Sequence, residues 1–342
     1  MAATTVNGFH PSRSLKPGVY APIPAFFLPD TEDLDIPSLR LHVVRLAKAG
    51  VAPLMSGSMG EAIHLNHAER NTVIKEARSA LDEAGLADIP IIAGTGAGST
   101  RETKELCREA ADAGADFSIV IPPGYFAGVL ASNPKALKAF FTEVADESPI
   151  PVFIYNYPGA SGGIDMDSDL ISELAEHPNI CGVKLTCGNV GKLTRIAATV
   201  ADKSFYSRFP RKNPKAPFLV FGGFADFLTP STFVNAHGAI AGLANVAPYT
   251  IVKLWELSVA ALTDPAALGE ANRLQAIAAC GDFTIAKASI AGTKYLLEKL
   301  YGYGGLPRKP LPPIQSDAAE QLWAHPHVQG LVQIERVLSG KS

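Results

Sequence analysis

Lys184 lies in the run CGVKLTCGN, residues 181–189, surrounded by β-type apolar residues. A charge is out of place in a strand bound for a core. Between apolar walls an ammonium is disfavoured, its pKa falls, and a free amine exists near neutral pH. Such an amine adds to a ketone and forms a Schiff base. The competing reading is a strand-end lysine whose head snorkels to water. The run FIYNYPGASGG, 153–163, carries Tyr155 at the tip of an earlier apolar stretch. A phenol beside a Schiff-base lysine can carry protons to and from the carbinolamine and the substrate. The plainer reading is a tyrosine capping a packed layer with its hydroxyl in solvent.

Two glycine-rich turns invite functional readings. In SGSMGEAIHLNHAER, 56–70, Gly57 and Gly60 allow a tight turn and close approach to a ligand. The amides of Ser58 and Met59, with the Ser58 hydroxyl, could hold a carboxylate in a backbone nest. An ordinary strand-to-helix turn is the alternative. Glu61, His64 and His67 lack a recognised metal-ligand pattern, so no metal is expected. In GTGAGSTRET, 94–103, Ser99 occupies the place of the third glycine of a dinucleotide fingerprint, and no G-K-[ST] ending follows. This turn reads as close packing and a helix start at Ser99 or Thr100. Tyr125, in IPPGYFAG, lines a pocket or packs against another subunit.

These residues need a scaffold. Strand-like runs occur at 18–27, 51–57, 89–95, 116–123, 151–156, 180–185, 217–223 and 238–244. Helical stretches alternate with them at 36–49, 67–84, 99–113, 133–147, 167–176, 189–201 and 227–236. Such alternation predicts a parallel sheet covered on both faces. Its length, roughly 230 residues, suits a (β/α)8 TIM barrel of about 250. A doubly wound open sheet is the runner-up. The barrel is expected over 17–248, with a C-terminal helical extension at 249–342 packed on it and a loose tail at 1–16. Lys184 and Tyr155 then fall at the carboxyl ends of neighbouring strands, where barrels build active sites.

Composition excludes some classes. The chain of 342 residues is 47% hydrophobic and carries a formal charge of −3. No basic excess suggests nucleic acid or an anionic membrane. The longest uncharged stretch, 227–252, is interrupted by prolines and polar residues, which argues against a membrane span. The start of the chain has no long apolar stretch of the secretory type. The scattered cysteines, 107, 181, 187 and 280, form no disulfide or zinc framework. A reducing, cytoplasmic setting is expected.

Taken together, GSMGEA, PPGYF, FIYNYP, GVKLTCGN and GAIAGLANVAP resemble the motifs of the dihydrodipicolinate synthase/N-acetylneuraminate lyase family of class I, pyruvate-handling aldolases. The match runs from about Gly18 to Leu300. The resemblance implies that Lys184 is the Schiff-base lysine and Tyr155 the proton-relaying tyrosine. It implies that Ser58 and Met59 hold the pyruvate carboxylate, mainly through backbone amides. Tyr125 matches a tyrosine that, in tetrameric members, reaches a neighbouring subunit's site. Ile240 matches a strand-eight residue whose carbonyl faces the site. No metal or organic cofactor is implied, and a homo-oligomer, dimer or tetramer, is.

Two departures bear on the substrate. The family's synthases carry two threonines where this chain has Ser58 and Met59, and Met59 offers no hydroxyl for a proton relay. They also carry an arginine where this chain has Ala160, which provides no charge-assisted hydrogen bond to an aldehyde's carboxylate. Both departures point to cleavage of 4-hydroxy-2-oxoglutarate or 2-keto-3-deoxy sugar acids. The alternatives are dihydrodipicolinate synthase, joining pyruvate to aspartate semialdehyde, and a non-catalytic protein that binds a 2-oxo acid.

Overall fold

The computed structural model describes residues 13–340. Eight parallel strands close into a barrel in sequence order: β1 Gly18–Pro22, β2 Ala52–Met55, β3 Ile92–Gly94, β4 Phe117–Val120, β5 Val152–Asn156, β6 Ile180–Leu185, β7 Leu219–Gly222 and β8 Gly238–Ile240. This is the TIM barrel expected from the alternation, and the closing β1–β8 pair excludes an open sheet. Closure brings two glycines together. A Cβ on Gly238 would lie 1.9 Å from the Gly18 carbonyl oxygen, so that seam leaves no room for a side chain.

Between the strands run α1 Ile36–Lys48, α2 His67–Glu83, α3 Thr100–Asp112, the short α4 Ala127–Leu130, α5 Pro134–Glu147, α6 Ser168–Ala175, α7 Val190–Val200, the short α8 Phe205–Arg208 and α9 Leu228–Thr232. Side-chain caps explain their starts. Asp35, Asn66, Ser99, Asn133, Asp167 and Asn189 each accept a hydrogen bond from a first-turn amide. Ser99 thus opens α3, as its sequence suggested.

Residues alternating inward along the strands fill the barrel with Tyr20, Leu54, Phe117, Phe153, Phe221 and Ile240. Phe221 meets Tyr20 edge-on, with ring centroids 5.3 Å apart. Leu15 joins this interior cluster, while Arg13 bonds Asp116. The loose tail expected at 1–16 therefore does not include Arg13–Lys16, because Leu15 has apolar partners there. Residues 1–12 lie outside the described residues.

After β8 comes α10, Pro248–Ala260, whose Ile251 and Leu254 pack into the layer containing Val19 and Ala21 of β1. It completes the ring of helices, so the boundary drawn at 248 falls at the start of a barrel helix. Beyond it, α11 Pro265–Lys287, α12 Ser289–Tyr301, α13 Ser316–Ala324 and α14 Pro326–Leu338 pack on the barrel.

Candidate active site

Lys184 on β6 stands directly across from Tyr155 on β5. Its Nζ lies 4.3 Å from the centre of the Tyr155 ring. The side chain is buried, and burial lowers its pKa from 10.5 to about 7. Among the described residues no neighbouring carboxylate offsets that burial. Near neutral pH a large fraction of the amine is therefore unprotonated and nucleophilic.

The Tyr155 hydroxyl lies 3.5 Å from Ser58 Oγ. Burial raises the phenol's pKa, while Ser58 and Thr186 pull it partway back. The phenol stays protonated at neutral pH and can give and regain a proton beside the amine. Tyr157 stacks on Tyr155 with ring centroids 5.7 Å apart.

Thr186 was not singled out from the sequence. It lies two residues past Lys184, hence on the same face, and its amide donates to the Asn156 carbonyl. Among the described residues its buried Oγ1 has no partner of good hydrogen-bond geometry, though it is near enough to Tyr155 to affect the phenol. A Cβ on Gly223 would sit 2.1 Å from that oxygen, so the glycine after β7 makes its space. Threonine is common in strands, so only the two-residue spacing from the lysine could have signalled it.

The turn after β2 is closed by the Glu61 amide on the Ser58 carbonyl, 3.1 Å, and the Ala62 amide on the Gly57 carbonyl, 3.2 Å. Ser56 and Glu61 flank it in the left-handed region, at φ 51° and 50°. Among the described residues the Ser58 and Met59 amides have no protein acceptor, so both remain available to a ligand. The Ser58 side chain is exposed and Met59 is half-buried. The end of Met59 reaches Gly242 beyond β8.

The other expected site residues are placed differently. Ile240 is fully buried on β8 beside Tyr20, within the barrel interior. Tyr125 is 91% exposed and meets Phe126 edge-on, so it does not join the Lys184 cluster of its own chain. Ala160 is exposed in the turn Pro158–Ala160 after β5. His64 pairs with Glu61, and His67 with Glu109. Among the described residues no group of three or more His, Cys, Asp or Glu side chains could hold a metal ion.

Charge is also sparse around the cluster, because among the described residues no second cation influences Lys184 or Tyr155. The geometry offers an amine nucleophile, a phenol, two free amides and an unpaired hydroxyl. Those groups suit covalent capture of a small oxo acid.

Comparison with known proteins agrees with this arrangement. Residues 19–326 match the model of the "Dihydrodipicolinate synthetase family". An "L-threo-3-deoxy-hexylosonate aldolase" of Aspergillus niger is 46% identical over 91% of this chain and 94% of its own. A protein of Emericella nidulans named "Probable 4-hydroxy-2-oxoglutarate aldolase, mitochondrial" is 44% identical over 91% and 94%. The crystal structure of a dihydrodipicolinate synthase family protein from Coccidioides immitis superposes with a TM-score of 0.78 at 35% identity, covering 96% of this chain and 99% of that one. Relatives named as aldolases match more closely than those named as synthases.

Proposed function

Because this chain belongs to the dihydrodipicolinate synthetase family, we propose that it is a class I aldolase, a carbon–carbon lyase that cleaves 4-hydroxy-2-oxo acids to pyruvate and an aldehyde. The observation that carries this reading is the pairing of Lys184, its amine partly free at neutral pH, with Tyr155 across the β5–β6 ladder. The amine adds to the C2 ketone and water leaves, giving an iminium. The C4 hydroxyl loses its proton with Tyr155 as relay, and the C3–C4 bond breaks. Its electrons pass into the iminium, so the aldehyde departs and a pyruvate enamine remains. Protonation at C3 and hydrolysis return pyruvate and free Lys184. The Ser58 and Met59 amides hold the substrate carboxylate, and Ile240 contributes its carbonyl to the rim. The iminium is the electron sink, so these steps need no metal or organic cofactor.

The tail beyond C4 separates the two substrate classes. A 2-keto-3-deoxy sugar acid ends in neutral hydroxyls, whereas 4-hydroxy-2-oxoglutarate ends in a second carboxylate. Ala160 supplies no cation, and Thr186 supplies an unpaired hydroxyl. An unpaired carboxylate is costly to desolvate, so these features favour the sugar acid. Purified protein is incubated with both substrates and with pyruvate plus aspartate semialdehyde. Pyruvate release, fastest from the sugar acid, is the expected result. Borohydride with pyruvate should fix an adduct on Lys184, and its absence refutes the mechanism. Substantial turnover of aspartate semialdehyde would restore the synthase reading. Unchanged function in Lys184→Ala would favour a non-catalytic binder.

Tyr125, Phe126 and Val129 are exposed together around α4, which supports a homo-oligomer with Tyr125 at a subunit contact. Sedimentation should give a mass well above 36.0 kDa. The free cysteines support a reducing, cytoplasmic setting. Recovery of the tagged chain with mitochondria instead would refute that placement. Among the described residues no helix is long and apolar enough to cross a membrane.

A further inference from the structure

The turn that carries Ser58 and Met59 ends in Glu61, whose carboxylate points away from the barrel into the C-terminal extension. Its Oε1 accepts from Lys294 Nζ of α12 at 2.7 Å, and both side chains are fully buried. Its Oε2 accepts from the Arg308 backbone amide at 2.8 Å and pairs with His64 Nδ1 at 3.0 Å. Lys294 also donates to the Leu306 carbonyl at 2.9 Å. Arg308 donates to the His64 carbonyl and to Glu69, so the segment after α12 grips both ends of the 61–69 stretch. Both cations lie over the Phe27 ring.

For stability alone this arrangement is a poor choice. Burying two charges costs several kcal/mol of desolvation, and a well-packed apolar pair often does as well. An ion pair does supply direction. Each carboxylate oxygen is fixed by its own donor, and the Glu61 backbone closes the turn at Ser58. Left-handed residues at Ser56 and Glu61 persist only where surrounding structure holds them.

We propose that Glu61 and Lys294 are positioning residues, through which the C-terminal extension sets the aim of the Ser58–Met59 amides at the substrate carboxylate. This rests on the reading of that turn as the carboxylate-binding element. The extension is then a working part of the site, although neither residue touches substrate.

The test measures borohydride trapping of Lys184 against pyruvate concentration in the full chain and in Lys294→Met. Carboxylate binding governs half-saturation, whereas the chemistry of Lys184 governs the rate at saturation. The expected result is a half-saturating concentration raised about tenfold or more, because small misplacements of binding groups have effects of that size or larger. The saturating rate should stay within about twofold. A merely structural role would lower the melting temperature or the active fraction and leave half-saturation unchanged, which would overturn the proposal. Should Lys294→Met fail to fold, Arg308→Ala decides, since its side chain lies nearer the surface and its loss loosens the same segment. Half-saturation raised about threefold supports the proposal, and an unchanged value overturns it. Failure of the unaltered protein to trap pyruvate would refute the proposed function itself. Trapping that is normal and insensitive to both variants refutes only the positioning role.

Discussion

At Lys184 reactivity and stability oppose each other. The side chain titrates at about 7 in the folded protein and near 10.5 when unfolded. Between those values the unfolded chain binds more protons, so stability rises with pH across that window and is lowest below it. The full difference corresponds to about 5 kcal/mol, an upper bound on the cost of burying the charge. Lys184→Met keeps the apolar stem and removes the amine. It should abolish borohydride trapping and raise the melting temperature at pH 6.5 by at least about 3 °C, with the gain shrinking by pH 10. Calorimetry at the two pH values checks this, and a lower melting temperature at pH 6.5 would contradict it. Tyr155→Phe keeps the ring beneath Nζ and loses only the hydroxyl. It should lower kcat by about 10²–10⁴-fold and slow trapping of pyruvate less than it slows turnover. Steady-state kinetics beside single-turnover trapping separates the two steps. Lys184 and Tyr155 were legible as neighbours, because the alternation put both at strand ends and a lysine in an apolar strand has few reasons to be there. Thr186 was not, because a strand threonine has many. Glu61 was visible only as a weak candidate ligand, since its partner Lys294 lies 233 residues away.

The elements that hold the site were legible in order and only loosely in length. Each expected strand exists, but the first expectation, 18–27, shortens to Gly18–Pro22, and 89–95 shortens to Ile92–Gly94. Prolines at 22, 24 and 90 lack the N–H that a longer ladder needs. Apolar patterning marks burial, and burial continues into the loops after pairing has stopped. The short α4 and α8 are not legible in sequence, because four residues carry almost no periodicity. A second clamp from the extension is equally invisible in sequence. On α11, Asp282 accepts from the Ala225 amide at 2.8 Å, and Gln275 bonds both Ala225 and Thr229. These contacts hold the loop between β7 and α9. Burial pushes the Asp282 carboxyl up to about 7 from 3.8, with nearby Asp226 adding to the rise. The folded protein then binds more protons than the unfolded chain between those values, so stability falls as pH rises through that window. Asp282→Asn retains an acceptor for Ala225 without the ionisation. It should leave the melting temperature at pH 4 close to the parent's and raise it at pH 8, by at most about 4 kcal/mol in stability. Parallel melts at the two pH values test this, and a variant equally destabilised at both would contradict it.

Across the whole molecule the same apolar layer serves barrel and extension. Val19, Ala21, Val43 and Ile251 of the barrel share one buried cluster with Leu274, Ile285, Leu297 and Leu331 of the C-terminal helices. The polar contacts point the same way, since Lys294 is buried against Glu61 and Glu335 of α14 caps α10 through the amides of Tyr249 and Thr250. The end of strand alternation after Pro248 was enough to mark where the helical region begins. It could not show that the first of those helices completes the barrel, because closure depends on contacts with β1, far away in sequence. A unit with its own core melts on its own, whereas one that shares a core melts with its neighbour. The extension should therefore unfold together with the barrel, in a single calorimetric transition whose van't Hoff and calorimetric enthalpies agree. Near-UV signals from Trp255 on α10 and Trp323 on α13 should disappear at the same temperature as activity. An early melt of the C-terminal helices, with pyruvate trapping retained, would show that the barrel keeps its site without them.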